Sequence, residues 1–135
     1  MLNAKCPGGW EQFKGFCYTS IFPEQEVELL VAVRACQDKD ADLLFITSEE
    51  EDYFVKDFAK TDYLWLGMKR EAPDESWKLL NGKEATFNKI VGYYYGNRDP
   101  WTEDNCVQIN LEEKKWYSID CNDLAGFVCK RPLFN

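Results

Sequence analysis

Residues 106–121 read CVQINLEEKKWYSIDC, two strand-like runs joined by a charged segment. Apolar side chains alternate along the first run, with the period of a half-buried strand. These side chains are Val107, Ile109 and Leu111. KWYSI at 115–119 is a second strand-like run, rich in aromatic and β-branched residues. A hairpin would bring the two ends together, so the stretch predicts a disulfide between Cys106 and Cys121.

The other cysteines indicate a disulfide framework. The chain has six, at positions 6, 17, 36, 106, 121 and 129, with wide gaps and no CxxC motif. This pattern is typical of three disulfides in an oxidising compartment, and spacing alone does not choose the pairing. In CPGGWEQFKGFC the turn residues predict a small hairpin closed by Cys6 and Cys17. Cys36 and Cys129 remain, and their bond would join an early helix to the last strand.

Composition bounds the class of protein. The chain has 135 residues, enough for one domain with one core, and 16% of them are aromatic. No apolar run approaches the roughly 18 residues of a membrane span. The net charge of −8 and the lack of a basic stripe argue against a nucleic-acid partner.

Histidine is absent from the sequence. Its absence excludes Ser/His and Cys/His nucleophiles and imidazole zinc sites. Carboxylate pairs remain possible among the 24 acidic residues. We expect no catalytic activity, no cofactor and no metal site.

Two segments have helical patterns. FPEQEVELLVAVRACQ at 22–37 places Pro23 and several glutamates in a first turn. Its predicted apolar stripe is Val27, Leu30, Val31 and Ala35. SEEEDYFVKDFAK at 48–60 begins with a capping box of Ser48 and Glu51. Its predicted apolar face is Phe54, Val55, Phe58 and Ala59.

Strands and one long loop region complete the pattern. ADLLFI at 41–46 is a buried strand or an extended crossover, and YLWLGM at 63–68 is a central strand. From Lys69 to Asn105 turn signals and isolated aromatics replace any regular pattern. Loops of this length are often functional. GFVCKR at 126–131 is the last strand and is expected to pair near the first. The fold class is therefore α+β.

These segments resemble, in order, the long form of the C-type lectin-like domain. The motifs that carry the resemblance are CPGGWEQFKGFCY, ELLVAVRAC, ADLLFITSEEEDYFV, YLWLGM, SWKLLNGKEATF, NC, KWYSIDC and GFVCK. The resemblance covers residues 6–132, leaving 1–5 as a stalk remnant or artificial start and 133–135 as a tail. It implies two helices flanking small antiparallel sheets, a long loop region, and the same three disulfides. One departure is Leu29, where the first helix of the family usually carries tryptophan.

The sugar-binding members of this family hold calcium in the long loop region. A Glu/Gln-Pro-Asn triplet, an acid before the fourth cysteine and a Trp-Asn-Asp triplet supply the oxygen ligands that calcium requires. Here Asp99, Pro100 and Trp101 stand at the first triplet, and Asp104 at the acidic position. At the second triplet, Tyr117 and Ser118 replace Asn and Asp. Only Asp99 and Asp104 keep a ligand, so we expect no calcium-dependent sugar site.

Two further calcium positions of the family are altered as well. Arg70 stands where the neighbouring auxiliary site tends to have an acid. A separate position near the second helix would use Glu51, and Lys130 follows the last cysteine where it could pair with that glutamate. We expect an ion pair or a helix cap there instead of a metal.

A scaffold that keeps the fold and loses the calcium set resembles the protein-binding members, such as natural killer-type receptors and their ligands. Tyr, Trp and Arg are enriched in interface hot spots, and the long loop carries all three. The candidate ligand-binding residues are Tyr93, Tyr94, Tyr95, Arg98, Asp99, Trp101, Glu103, Lys115 and Tyr117. Trp77, Phe87 and one tyrosine are expected to pack a satellite core of the loop instead.

The sequence thus predicts a non-catalytic extracellular recognition domain of a cell-surface receptor or receptor ligand that binds a protein. One alternative is a carbohydrate-binding lectin with a divergent site. Another is a secreted effector of the venom or antimicrobial type, in which case the protein is secreted and not membrane-anchored. A homodimer is compatible with a receptor of this type.

Overall fold

The structure is a computed structural model that describes residues 5–21, 25–93 and 104–133, with the side chains of Ile21 and Tyr93 excluded. Within these ranges the chain forms two helices and nine strands. The helices are α1 (Leu29–Gln37) and α2 (Glu49–Phe58). The strands are β1 (Glu11–Phe13), β2 (Phe16–Ile21), β3 (Asp42–Leu43), β4 (Tyr63–Lys69), β5 (Lys78–Leu79), β6 (Ile90–Tyr93), β7 (Cys106–Asn110), β8 (Lys115–Ile119) and β9 (Phe127–Pro132). Among the described residues, no helix is long and apolar enough to cross a membrane.

The first sheet ties the two ends of the domain together. Its order is β1-β2-β9-β3, and every pairing is antiparallel. The β1–β2 hairpin turns at Lys14 and Gly15, both with positive φ. The last strand lies between β2 and β3, so the prediction that it pairs near the first strand is confirmed.

The second sheet has the order β5-β4-β7-β8-β6. YLWLGM forms β4, with neighbours on both sides, as its apolar pattern predicts. CVQINL and KWYSI form the antiparallel β7–β8 hairpin, with Ile109 opposite Trp116. The stretch from Lys69 to Asn105, where no regular pattern was expected, contains the short strands β5 and β6. β6 runs parallel to β8, a long-range pairing that leaves no local signal in the sequence.

All three predicted disulfides are present. They join Cys6 to Cys17, Cys36 to Cys129 and Cys106 to Cys121. The described residues contain no free cysteine. The second of these bonds attaches α1 to β9, across a sequence separation of 93 residues.

Helix α1 differs from its prediction in both start and rotation. It begins at Leu29, with Glu28 as N-cap, so the preceding acids do not occupy its first turn. Its buried residues are Leu29, Ala32 and Cys36. Leu30 and Val31, which were expected in the core, are 64% and 49% exposed. The Cys36–Cys129 bond fixes the rotation of the helix, because it holds the Cys36 side of the helix against β9.

Helix α2 forms as predicted. The Ser48 hydroxyl accepts a hydrogen bond from the Glu51 backbone N–H at 3.1 Å. Val55 and Ala59 are buried, and Phe54 stacks on Phe13 and Phe58. The second half of the capping box is different, because the Glu51 carboxylate accepts from the Thr47 backbone N–H instead.

Strand β4 separates two clusters of core residues. Leu64, Leu66 and Met68 face one cluster together with Val55 of α2 and Trp116 of β8. Trp65 faces the other, which contains the buried side of α1. Leu29 lies in this second cluster, so a large apolar residue is kept where the family usually has tryptophan.

Candidate recognition site

The β7–β8 hairpin presents two of the candidate ligand-binding residues. Lys115 and Tyr117 are two positions apart on β8 and therefore point to the same face. Lys115 is exposed and Tyr117 is half-buried. The Tyr117 hydroxyl donates a hydrogen bond of 2.6 Å to Glu113 Oε1 in the hairpin turn. The structure thus brings these two residues together on an accessible strand face.

The other candidates lie at or beyond the edge of the described chain. Tyr93 ends β6, and its backbone is in register with Ser118 of β8. Tyr94, Tyr95, Arg98, Asp99, Trp101 and Glu103 fall outside the described residues. The segment that carries them lies between Tyr93, at the end of β6, and Asp104, two residues before β7. Both β6 and β7 are neighbours of β8, the strand that carries Lys115 and Tyr117.

Arg70 holds the base of the long loop region. Its Nε donates to Asn105 Oδ1 at 3.2 Å, and its terminal nitrogens donate to the backbone carbonyls of Asp104 and Pro73. The guanidinium lies 4.6 Å from the ring centroid of Trp77. These contacts bind the first residues of the loop to its last ones and fix a positive charge between them.

A second fixed cation lies between α2 and the first sheet. Lys130 of β9 is 2% exposed, and its Nζ lies 2.5 Å from Glu51 Oε2. Nζ also donates to the Phe45 carbonyl oxygen at 3.0 Å and lies 3.9 Å and 4.3 Å from the ring centroids of Phe45 and Phe16. Tyr18 donates to the same carboxylate oxygen at 2.5 Å. The ion pair expected between Lys130 and Glu51 is confirmed.

Burial governs the protonation of this cluster. Desolvation lowers the pKa of the Lys130 ammonium, and the hydrogen bond and charge of Glu51 oppose that shift. Burial, together with the hydrogen bond to Glu51, raises the pKa of the Tyr18 hydroxyl well above its ordinary value. Tyr18 therefore remains a neutral donor, and the glutamate has a hydroxyl, an ammonium and the Thr47 N–H as its partners.

Comparison with known proteins decides the family. The Lectin C-type domain family matches residues 26–131. The chain belongs to the C-type lectin domain family. The mouse scavenger receptor C-type lectin carbohydrate-recognition domain has a TM-score of 0.74 and 25% identity to it, covering 94% of this chain and 96% of that chain.

Two curated relatives also match this C-type lectin domain. The CD302 antigen of Rattus norvegicus is 34% identical over 98% of the chain, and the early activation antigen CD69 of Mus musculus is 31% identical over 96% of it. The chain spans 60% of the first protein's length and 58% of the second's. The similarity therefore describes one domain of these proteins.

The residues that the structure describes at the family's calcium positions do not fit calcium. The Ser118 hydroxyl donates to the Gly92 carbonyl at 3.3 Å, and the Tyr117 hydroxyl is bound to Glu113. Arg70 places a positive charge at the auxiliary position, and Lys130 places another beside Glu51. Calcium requires six to eight oxygen ligands. Asp104 keeps a buried carboxylate, but the second triplet supplies two committed hydroxyls and the other two positions hold cations. Among the described residues, no three acidic or cysteine side chains are arranged to hold a metal.

Asp52 is a buried acid that the sequence reasoning missed. It is fully buried on α2 and accepts a hydrogen bond of 2.8 Å from Trp116 Nε1. Lys56 lies 2.7 Å from its other oxygen, and Lys89 of the long loop region lies 3.5 Å away. Its position three residues before Val55 was the available signal, since that spacing places an acid on the apolar side of the helix.

The long loop region of this lectin domain packs on the main core. Trp77 and Phe87 were predicted to form a separate satellite core, but both contact the cluster that contains Trp116. The Phe87 ring meets the Trp116 ring edge-on, with centroids 5.8 Å apart. Lys89 adds an ion pair of 2.6 Å to Glu49 on α2, and the hydrogen bond of that pair raises the pKa of Lys89. The described part of the loop is thus anchored to both the core and α2.

Proposed function

We propose that this C-type lectin domain is a non-catalytic recognition module that binds a protein partner through its long loop face without calcium. The observation that carries the proposal is the state of the second ligand triplet on β8. Tyr117 and Ser118 stand there, and both hydroxyls are engaged within the protein. A sugar bound through calcium would require two oxygen ligands at these positions.

The composition of the loop face supports a protein partner. Lys115 and Tyr117 lie on the strand next to which the loop segment begins and ends. Val91, on the edge strand β6, is 61% exposed. The segment from 94 to 103 adds two tyrosines, a tryptophan and an arginine, the residue types that dominate binding energy in protein interfaces. Arg70 and Lys89 hold the base of this loop, which reduces the entropy lost on binding.

Three disulfides and the family support an extracellular location. We place the module at residues 6–132, as the ectodomain of a cell-surface receptor or receptor ligand. A secreted effector would carry the same module. The natural precursor separates the two, because a receptor keeps a membrane anchor and an effector has a cleaved signal.

The test is binding of a multimerised domain to cells, with calcium or with EDTA, before and after protease or glycosidase treatment of the cells. We expect binding that persists in EDTA and through glycosidase treatment and that protease removes. Tyr117→Ala and Arg98→Ala should each weaken binding about tenfold or more if they are hot spots. Leu124→Ala is the control, because Leu124 is 51% exposed and lies outside β6, β8 and the long loop region. Binding that EDTA or glycosidase abolishes would refute the proposal and favour a carbohydrate lectin.

A further inference from the structure

A surface cavity of about 430 Å³ lies beside the turn that follows β8, and none of the candidate ligand-binding residues lines it. Three neighbouring strands contribute to its lining, with Tyr63 on β4, Gln108 on β7 and Ile119 on β8. The turn contributes Leu124, and the segment before α1 contributes Glu26. Cavities of this size are typical of small-molecule sites.

Backbone contacts hold the walls of this cavity in place. Val27 and Ala125 exchange two backbone hydrogen bonds of 3.0 Å, which join the segment before α1 to the chain just after the turn. Trp65 Nε1 donates to the Val27 carbonyl oxygen at 2.8 Å. In the turn, the Asn122 backbone N–H donates to Asp120 Oδ1 at 2.8 Å. A ligand would therefore meet a preformed cavity, which reduces the entropy lost on binding.

Gln108 brings a buried amide to the cavity. The residue is only 3% exposed, and its Nε2 donates to the Leu124 carbonyl oxygen at 3.4 Å. This distance exceeds the roughly 2.7–3.2 Å of an ordinary hydrogen bond. Within the described residues, Gln108 Oε1 accepts no hydrogen bond. Buried polar atoms are normally paired, so this oxygen favours a ligand that donates an N–H group.

The charge of the cavity favours a cation. Glu26 and Asp123 are among its lining residues, and among the described residues no lysine or arginine lines it. Partial burial raises the pKa of the Glu26 carboxyl, and the charge of Asp62 raises it further. A cation beside Glu26 would relieve that repulsion. The acids of the described chain form no group of three that could hold a metal ion, so an organic cation fits this charge better.

We propose that this cavity binds a small alkylammonium ion. The ammonium group has three N–H donors, and its acceptors are the Glu26 carboxylate and Gln108 Oε1. The alkyl chain packs on Ile119 and on Leu124, which is 51% exposed. The cavity shares no residue with the candidate recognition site, so this proposal and the proposed function can fail independently.

NMR chemical shifts of the backbone amides measure binding of n-butylammonium chloride to the oxidised domain, with sodium chloride added to keep the ionic strength constant. A ligand of this size should have a dissociation constant of roughly 1–10 mM, so the titration extends to about 50 mM. We expect saturable shifts at Gln108, Ile119 and Leu124. n-Butanol, which has the same alkyl chain without the charge, is the matched control ligand and should bind at least about tenfold more weakly.

Substitutions locate the binding site. Glu26→Gln should weaken butylammonium binding about fivefold or more. Glu11→Gln is the matched control, because it removes the same charge at an exposed position of β1, outside the cavity. Leu124→Arg places a guanidinium in the cavity and should abolish binding. All three positions are exposed, and thermal unfolding of each variant establishes that it is folded.

Four results would each overturn the proposal. They are butylammonium shifts that do not saturate, equal binding of butanol, equal effects of Glu26→Gln and Glu11→Gln, and unchanged affinity in Leu124→Arg. Binding to cells is measured separately, so its loss or persistence bears only on the proposed function.

Discussion

Replacing Lys130 by methionine tests the buried ion pair between β9 and α2. Methionine keeps most of the aliphatic length of the side chain, so the packing between Phe16 and Phe45 changes little. The substitution removes the ammonium that lies 2.5 Å from Glu51 Oε2 and leaves a glutamate that is only 5% exposed. Removing one partner of a buried pair costs about 3–5 kcal/mol. The hydrogen bonds from Tyr18 and Thr47 to Glu51 remain, so we expect a loss near 3 kcal/mol.

Urea unfolding with the disulfides intact measures this free energy. Lys14→Met is the matched control, because Lys14 also pairs with a glutamate of α2, Glu50, but the two side chains are 59% and 66% exposed. It should cost less than about 1 kcal/mol. Adding Glu51→Gln to Lys130→Met should recover at least about 1 kcal/mol, since no unpaired charge then remains buried. If Lys130→Met costs no more than Lys14→Met, the assignment of Lys130 as a structural cation in place of a metal is wrong.

Three other comparisons test the account of the fold. Tyr18→Phe should cost about 1–2 kcal/mol at neutral pH. Because burial raises the folded pKa of Tyr18 above its ordinary 10.0, the wild-type advantage should shrink above pH 10 by about 1.4 kcal/mol per unit. An advantage unchanged up to about pH 11.5 (roughly 1.5 units beyond that onset) would contradict the shift. Gly67→Ala should cost about 1–3 kcal/mol, since its Cβ would lie 2.9 Å from the Leu43 carbonyl oxygen. Gly8→Ala is the control, because a Cβ there meets nothing within 4 Å. Equal unfolding midpoints for the two variants would argue against the close approach of β4 and β3. Replacing Cys36 and Cys129 by alanine should cost about 2 kcal/mol more than replacing Cys6 and Cys17, because the two bonds close loops with sequence separations of 93 and 11. Urea unfolding measures both free energies. A larger loss of unfolding free energy for the Cys6–Cys17 replacement would contradict that ranking.

Local patterns predict those parts of the fold in which one face of an element is apolar and the other polar. The alternation in CVQINL, the all-apolar run YLWLGM and the cap at Ser48 each produce the expected element. The cysteines add predictions of contacts between distant segments. Two of the three disulfides are predicted from hairpins, and the two remaining cysteines then form the third.

The rotation of α1 could not be predicted, because the helix is apolar on more than one side. Leu29, Leu30 and Val31 are consecutive, and the spacing of apolar residues fits two stripes about equally well. The contacts of Cys36 and Leu29 with the core select one of them. Leu30 and Val31, on another side of the helix, are then exposed.

Buried polar residues are the other feature that the sequence conceals. Asp52, Asp104 and Lys130 are almost fully buried, although residues of these types are mostly exposed in proteins. Only Lys130 was connected to a partner in advance, through the position it occupies in the family. Asp52 binds Trp116 across a separation of 64 residues, so no local pattern relates the two.

The candidate site was predicted by type of residue and is described only in part. Lys115 and Tyr117 lie together on β8, as the alternation of that strand requires. The six candidate residues between positions 94 and 103 lie outside the described chain, so their part in recognition is a proposal. The fixed cations Arg70 and Lys130 make the strongest structural case against calcium, and the first of them was visible in the sequence as a basic residue at an acidic position.

Calcium binding is the most direct test of the central claim. Isothermal titration of the oxidised, chelator-treated domain with calcium measures calcium binding. A glycan array in calcium or EDTA then measures calcium-dependent sugar binding. We predict no saturable heat up to about 5 mM calcium, beyond the roughly 0.1–1 mM dissociation constants of extracellular calcium modules, and no glycan signal that depends on calcium. Saturable binding in that range together with calcium-dependent glycan binding would contradict the account.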